Sequence, residues 1–225
     1  MRRKDKQIND IARYYLRRAQ EYDVSAGYED SIAEELRKPI KLRFQQAMKG
    51  HDVLELACGT GYWTKVISAT AKSVLATDIN ASMISIAGEK LASITNVSFQ
   101  VADAFTLEGL SGEFSAAFAH WWWSHIPKSK ITDFLKTLHS KLAPGTFVLF
   151  ADQLPYENGQ RRCDEEGNML EVRTLSDDTK FEIVKNFPTK EELAGALKGL
   201  ADQLQYKAYP KEMMWTISYF TKGVK

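Results

Sequence analysis

The sequence predicts an α/β fold, a doubly wound sheet with helices on both faces, and three observations predict it. Short apolar runs near 52–57, 73–78, 97–102, 114–120 and 146–151 alternate with helical segments, the βαβ signature of a parallel sheet. The first run, VLELACGTG over 53–61, passes straight into a tight glycine turn and then a helix. An acidic residue stands inside or at the end of each of the first three runs: Glu55, Asp78 and Asp103.

The turn binds a ligand on its main chain. Gly59 and Gly61 lack a Cβ, so the chain can take positive φ there and a nucleotide-like molecule can lie against bare backbone. A pyrophosphate binder would place a third small residue three positions after the second glycine. Thr64 stands there instead, and Tyr62 and Trp63 crowd the approach. Asp78 ends the second run where a carboxylate can accept both hydroxyls of a ribose. Three acidic groups suit an adenosine carrying positive charge better than one carrying phosphates.

The runs ELACGTG, TDIN with Asp78 and VADA with Asp103 resemble, in order and spacing, the three cofactor motifs of class I S-adenosylmethionine-dependent methyltransferases, over roughly residues 50 to 152. The segments FAHWWWSHIP (118–127) and RTLSDDTKFEIVK (173–185) resemble a functionally unassigned subgroup of small-molecule methyltransferases. The resemblance implies a Rossmann-like, seven-stranded mixed sheet of order 3-2-1-4-5-7-6. It implies S-adenosylmethionine as cofactor and a small organic acceptor methylated at oxygen, nitrogen or carbon. Ala57, Gly59 and Gly61 then lie under the cofactor, Asp78 on its ribose, Ile79 on adenine, and Asp103 with the Ala104 backbone at the exocyclic amine. Glu55 either holds the ammonium end or the glycine loop, or satisfies local backbone. In YYLRRAQEYD (14–23), which resembles the N-terminal helix of related enzymes, Tyr15 and Arg18 inherit the role of covering the cofactor; an exposed arginine is the other reading. Two further classes stay open: an NAD(P)-binding oxidoreductase, against which Thr64 and the acidic third run argue, and an inactive S-adenosylmethionine-binding protein.

Such a methyl group arrives on a sulfonium, so the protein's tasks are alignment, exclusion of water and, where needed, removal of a proton. No metal is demanded. The candidate bases follow the fourth run: His125 in SHIP, and His120, which stands where the subgroup carries a small residue. Trp121, Trp122 and Trp123 cannot all face one side, so at least one is expected in the pocket. Tyr156, Arg161, Arg162 and Arg173 either meet an acidic acceptor or are solvated charge; His51 and His139 read as surface residues and Cys58 as packing.

The flanks complete the plan. Ile8, Ile11, Tyr15, Ala19 and Tyr22 recur at helical spacing, and a second helix over about 31–49 carries Pro39, expected to break or kink it, and stops at Gly50. Residues 1–50 are therefore expected to form a helical lid and 51–225 the methyltransferase domain. A helix is expected over 127–142. The stretch 153–188 is too long for bare loop; alternation near 170–175 and 181–184 predicts an inserted β-hairpin that caps the acceptor pocket. Thr189 and Glu192 form a capping box, and 203–209 with 213–221 close the sheet.

With 225 residues, 44% of them apolar, the chain holds one sizeable core plus appendages. A net charge of +1 gives no reason to expect nucleic acid, and the basic start MRRKDK reads as a solvated, mobile tail. No apolar run spans a membrane or follows the basic start as a signal would. Two distant cysteines make no disulfide framework, which fits the cytoplasm, and a monomer or homodimer is expected.

Overall fold

The computed structural model describes residues 3–157 and 159–222, with side chains from residue 9 onward. Three helices come first: α1 (Arg3–Arg18), a single 3₁₀ turn, α2 (Tyr22–Ser25) and α3 (Ser31–Met48). The α/β core follows as β1 (Asp52–Leu56), α4 (Tyr62–Ser68), β2 (Ser73–Asp78), α5 (Ala81–Lys90), β3 (Val97–Val101), β4 (Ala116–His120), α6 (Ile131–Ser140) and β5 (Phe147–Gln153). Then come β6 (Arg161–Cys163), β7 (Met169–Thr174), β8 (Lys180–Val184), α7 (Lys190–Ala196), β9 (Ala201–Tyr209) and β10 (Met214–Thr221).

The main sheet has seven strands in the order β3-β2-β1-β4-β5-β10-β9. Counting only its own strands, this is the expected 3-2-1-4-5-7-6, with β10 antiparallel to both neighbours. Every residue of β4 is buried, as a central parallel strand covered on both faces requires. One core lies on each face. Leu54, Leu56, Phe134, Leu138, Phe150, Trp215 and Tyr219 fill one, and Phe44, Met48, Val53, Ile67, Val74 and Phe118 the other. β2 and β4 pair on opposite sides of β1, so the strand order reverses there and a crevice opens at the carboxyl ends of β1 and β4.

The insertion is richer than a hairpin. The expected pair, β7 and β8, turns at Ser176–Asp178 and is joined by a short third strand, β6, into a separate antiparallel sheet. Ile11 and Tyr14 of α1 pack on its Leu170, Leu175, Ile183 and Val184, so the first helix and the insertion form one body beside the crevice.

Three expectations are corrected. Pro39 does not end its helix: α3 runs through it, because the Glu35 carbonyl that loses its partner lies on the exposed side while Ile40, Phe44 and Met48 anchor the opposite side in the core. The basic start is helical from Arg3; Met1, Arg2 and the side chains of residues 3–8, Ile8 among them, lie outside the described residues. His139 is buried, its Nε2 2.9 Å from the Tyr219 hydroxyl. It sits beside Leu138 on α6, where the apolar stripe carries it into the core. No described helix is long and apolar enough to cross a membrane.

Candidate active site

The cleft opens at the predicted switch point. Its empty space, counting the part open to solvent, is about 770 Å³, and its walls include Ala57, Gly59, Asp78, Ile79, Asp103, Ala104, His120, Trp121, Trp122, His125 and, from the first helix, Tyr15.

The glycine turn forms because Ala57 (φ 50°) and Gly59 (φ 58°) both adopt left-handed backbone, so the main chain after β1 curls away from the sheet and presents its edge to the cleft. A Cβ on Gly59 would meet only the Tyr22 ring, at 3.9 Å, an ordinary contact. Gly61 has a different duty. It does not line the cleft but starts α4 at φ 83°, where a Cβ would lie 2.8 Å from Leu91 and 3.0 Å from Ala87 of the neighbouring helix region. Thr64 is fully buried in α4, so it adds nothing to the ligand surface.

Asp78 ends β2 with both carboxylate oxygens oriented by backbone. Oδ2 accepts from the Gly59 amide at 3.1 Å and Oδ1 from the Asn80 amide at 2.9 Å. Burial pushes its pKa up to about 6, against the pull of those amides. Each oxygen keeps a further lone pair, the arrangement a vicinal diol needs. Asp103 Oδ1 accepts from the Phe105 amide at 2.8 Å and so fixes the turn that carries Ala104 into the cleft. Glu55 does not line the cleft. It lies under the glycine turn, fully buried, with Oε2 lacking a partner, and burial pushes its pKa up to about 8, so it is neutral at pH 7.

At the other end Tyr15 and His125 meet across 110 positions. His125 Nδ1 lies 2.7 Å from the Val184 carbonyl, which can only accept, so this nitrogen carries the proton. Nε2 then accepts from the Tyr15 hydroxyl at 2.8 Å. Burial, with Lys185 adding to it, holds the ring well below the ordinary histidine pKa, and His120 is shifted the same way by the same leading cause. Both are neutral imidazoles.

Arg18 lies outside the cleft. Its guanidinium stacks on Tyr14 and Tyr22, Nε donates to Ser25 Oγ at 3.0 Å, and it borders a second, open cavity beside the small sheet. There Glu171, buried, is gripped by Arg161 (2.7 Å), Arg173 (2.8 Å) and the Tyr156 hydroxyl (2.9 Å). Arg162 pairs with Glu182 on the surface. Of the three tryptophans, Trp121 and Trp122 line the cleft and Trp123 enters the core, the split that their succession demands. Cys58 is buried and its thiol is pushed well up by burial, as a packing residue's would be.

Two features escaped the sequence. Asp23 of α2 accepts from the Thr60 hydroxyl of the glycine turn and from Lys90 of α5, tying the first helices to the glycine turn. Lys185, just past β8, is buried and donates to Ser124 Oγ at 2.9 Å with Asp152 Oδ1 at 3.6 Å, while Asn186 donates to the Ser124 and Ile126 carbonyls. The one signal was the polar pair Lys185–Asn186 directly after the apolar end of a strand. Among the described residues no cluster suited to a metal ion occurs.

Known proteins fit this geometry. A family model described as a methyltransferase domain matches residues 53–145. Phosphoethanolamine N-methyltransferase 1 of Caenorhabditis elegans is 31% identical over 84 residues, 37% of this chain, which spans only 18% of that enzyme. The malonyl-[acyl-carrier protein] O-methyltransferase of Serratia marcescens is 22% identical over 201 residues, 84% of this chain and 77% of that one. The solved complex of DhpI with S-adenosylhomocysteine superposes with a TM-score of 0.73 at 31% identity, over 96% of this chain and 97% of that one. A DhpI complex with S-adenosylmethionine and HEP gives 0.76 at 28% identity, over 97% and 99%. With the glycine turn, the strand-end carboxylates and the sheet order all in place, the chain belongs to the class I S-adenosylmethionine-dependent methyltransferases.

Proposed function

We propose that this enzyme methylates an anionic oxygen, a carboxylate or a phosphate-type group, on a small acceptor. The observation that carries the reading is the set of cations packed around the Tyr15–His125 pair: Lys185, buried and donating to Ser124 beside His125; Arg18, over the Tyr14 and Tyr22 rings; and Arg173, paired with Glu171. Burial and Lys185 together lower the His125 pKa. Asp152 and Glu171 temper two of those charges through their ion pairs. An anion entering beside Tyr15 gains from this field and a cationic amine loses. Among the relatives, the malonyl-[acyl-carrier protein] enzyme is named for methylation at oxygen, in line with this reading, whereas the phosphoethanolamine enzyme is named for methylation at nitrogen on a molecule that also carries a phosphate.

The cofactor supplies a methyl group on a leaving group already activated. Asp78 would hold the ribose diol, Ile79 would pack on adenine, Asp103 and the Ala104 backbone would meet the exocyclic amine, and the main chain at Ala57 and Gly59 would support the remainder. Gly61 and Glu55 act beneath, shaping the turn. An acceptor oxygen that is already an anion would need no base to take up a methyl group whose leaving sulfur is already activated, so the protein's part would be to bind and align it. This agrees with two neutral, weakly basic histidines. His125 is then a positioning residue that orients the Tyr15 hydroxyl, and His120 a wall of the chamber. Arg18 braces Tyr22 over the cofactor instead of touching it. Residues 1–50 act as a lid and 153–188 as a cap, closing the cleft to water. Two free thiols, Cys58 and Cys163, accord with the cytoplasm.

The test is methyl-labelled cofactor offered with matched small carboxylates, phosphate monoesters and amines. Label is expected on oxygen: from a carboxylate as a methyl ester that base hydrolyses, and from a phosphate monoester as a base-stable methyl phosphodiester identified by its phosphorus-coupled methyl resonance. A base-stable methylamine as the main product overturns the reading.

A further inference from the structure

Trp121 follows the last residue of β4 in a backbone conformation that bulky side chains avoid. Its φ is 56°, in the left-handed region, where Cβ crowds the next carbonyl. The chain is pinned there, because the Trp121 amide donates to the Ala151 carbonyl of β5 at 2.8 Å. Glycine would meet this turn without strain, so the indole is retained for what the ring does. It does not fill the core, the place of Trp123. The ring stands in the cleft wall, tilted against His120 at 4.8 Å, and lies near-parallel to Tyr28 at 6.2 Å and 16°. Tyr28 stacks in turn on Tyr62 at 3.8 Å and 4°, with the Arg37 guanidinium over both tyrosines. A column of aromatic rings thus backs the indole from behind and joins the chain between α2 and α3 to α4. Beside it, His120 Nδ1 is buried without a partner, a polar atom placed at the same wall.

We propose that Trp121 is the specificity-determining residue of the acceptor chamber, a rigid wall that excludes acceptors carrying a bulky substituent. The inference rests on the reading of this cleft as the methyl-transfer site, with the acceptor beside Tyr15 and His125. It does not rest on the acceptor's charge. The column behind the indole prevents the ring from swinging aside, so size is read by a fixed surface and not by an adaptable one.

The experiment compares the full-length wild type with W121G, W121A and W121F. Acceptors are offered in pairs that differ by one phenyl ring: acetate and phenylacetate, methyl phosphate and benzyl phosphate, ethylamine and 2-phenylethylamine. W121G is expected to raise the ratio of kcat/KM for the bulky over the small member by about tenfold or more, while W121F holds the wild-type ratio within about threefold. Calorimetric affinity for S-adenosylhomocysteine should stay within about twofold in W121G. Because glycine accepts the left-handed φ and alanine does not, W121G should melt above W121A. Methylation of the amines alone would defeat the anionic reading yet leave the size ratio to judge Trp121. If no pair is methylated, the same pairs are titrated into protein saturated with S-adenosylhomocysteine, and bulky members must bind W121G more tightly than wild type. An unchanged size preference overturns the proposal. So does W121G melting below W121A, and so does a loss of S-adenosylhomocysteine affinity that parallels the loss of activity.

Discussion

Ala57, Gly59, Asp78 and Asp103 reach the cleft from the ends of β1, β2 and β3, each held by nearby backbone, whereas Tyr15 and His125 come together across 110 positions and depend on α1, the small sheet and the loop after β4. The first end, proposed above for the cofactor, is preformed by local geometry, with amides that aim the Asp78 carboxylate. The end at Tyr15 and His125, proposed above for the acceptor, exists only if three remote pieces pack. One end is therefore a property of the fold, and the other a property of its appendages. Perturbations should separate them.

The largest separation is expected from Asp78→Ala. Two charge-assisted hydrogen bonds to a diol are lost, about 1.5–3 kcal/mol each, so S-adenosylhomocysteine affinity should fall by about a hundredfold or more in calorimetry. The Tyr15–His125 pair should be untouched, since no described bond links it to Asp78. Retained affinity would remove the basis for the cofactor end as drawn. Next in size is Gly61→Ala, which forces a side chain to φ 83° with its Cβ 2.8 Å from Leu91 and 3.0 Å from Ala87. Strain and overpacking together should cost about 2–3 kcal/mol of stability, read by denaturant unfolding. The affinity of the folded fraction should change less, because Gly61 shapes the turn from below. Conversely, Tyr15→Phe removes one hydroxyl at the acceptor end. It should lower kcat/KM by about tenfold to thirtyfold while leaving S-adenosylhomocysteine affinity within about threefold, and a joint loss of both would show that the two ends are not separable.

The same contrast governs what could be read before the fold was known. The order of the main sheet, the glycine turn and both strand-end carboxylates were legible because each is a contiguous run whose period and punctuation survive any packing. The capping box at Thr189 was read correctly for the same reason. Pro39 does not break α3 because local propensity is outweighed by Ile40, Phe44 and Met48, which bury one side of the helix. His139 misled because a polar ring on an apolar stripe is carried inward with its neighbours. Lys185 was legible as a network residue only through its place with Asn186 after the apolar end of a strand, and Asp23 was not legible as one. Their partners, Ser124 and Asp152 for one, Thr60 and Lys90 for the other, are distant in sequence, and no spacing rule joins them.

The smallest expected effect is on pH, and it also distinguishes the two ends. Burial raises the Asp78 carboxyl from its ordinary value to about 6 in the ligand-free protein. Ribose hydroxyls donate to the ionised form and favour it, so binding is linked to loss of a proton from this group. Above pH 6 the carboxylate is already charged and affinity is flat. As pH falls through 6 the ligand must displace a proton, and affinity should drop, by about tenfold at pH 5 relative to pH 7.5. Asp78→Asn should abolish this slope. The histidines at the acceptor end, both held well below the usual imidazole range, stay neutral across the same interval and contribute no opposing slope. Glu55, neutral up to about pH 8, is likewise silent below 6. Calorimetric titration of S-adenosylhomocysteine between pH 5 and 7.5 in two buffers of different ionisation enthalpy should show proton release rising toward acid. A slope that persists in Asp78→Asn would move the titrating group away from the ribose and toward the other end of the cleft.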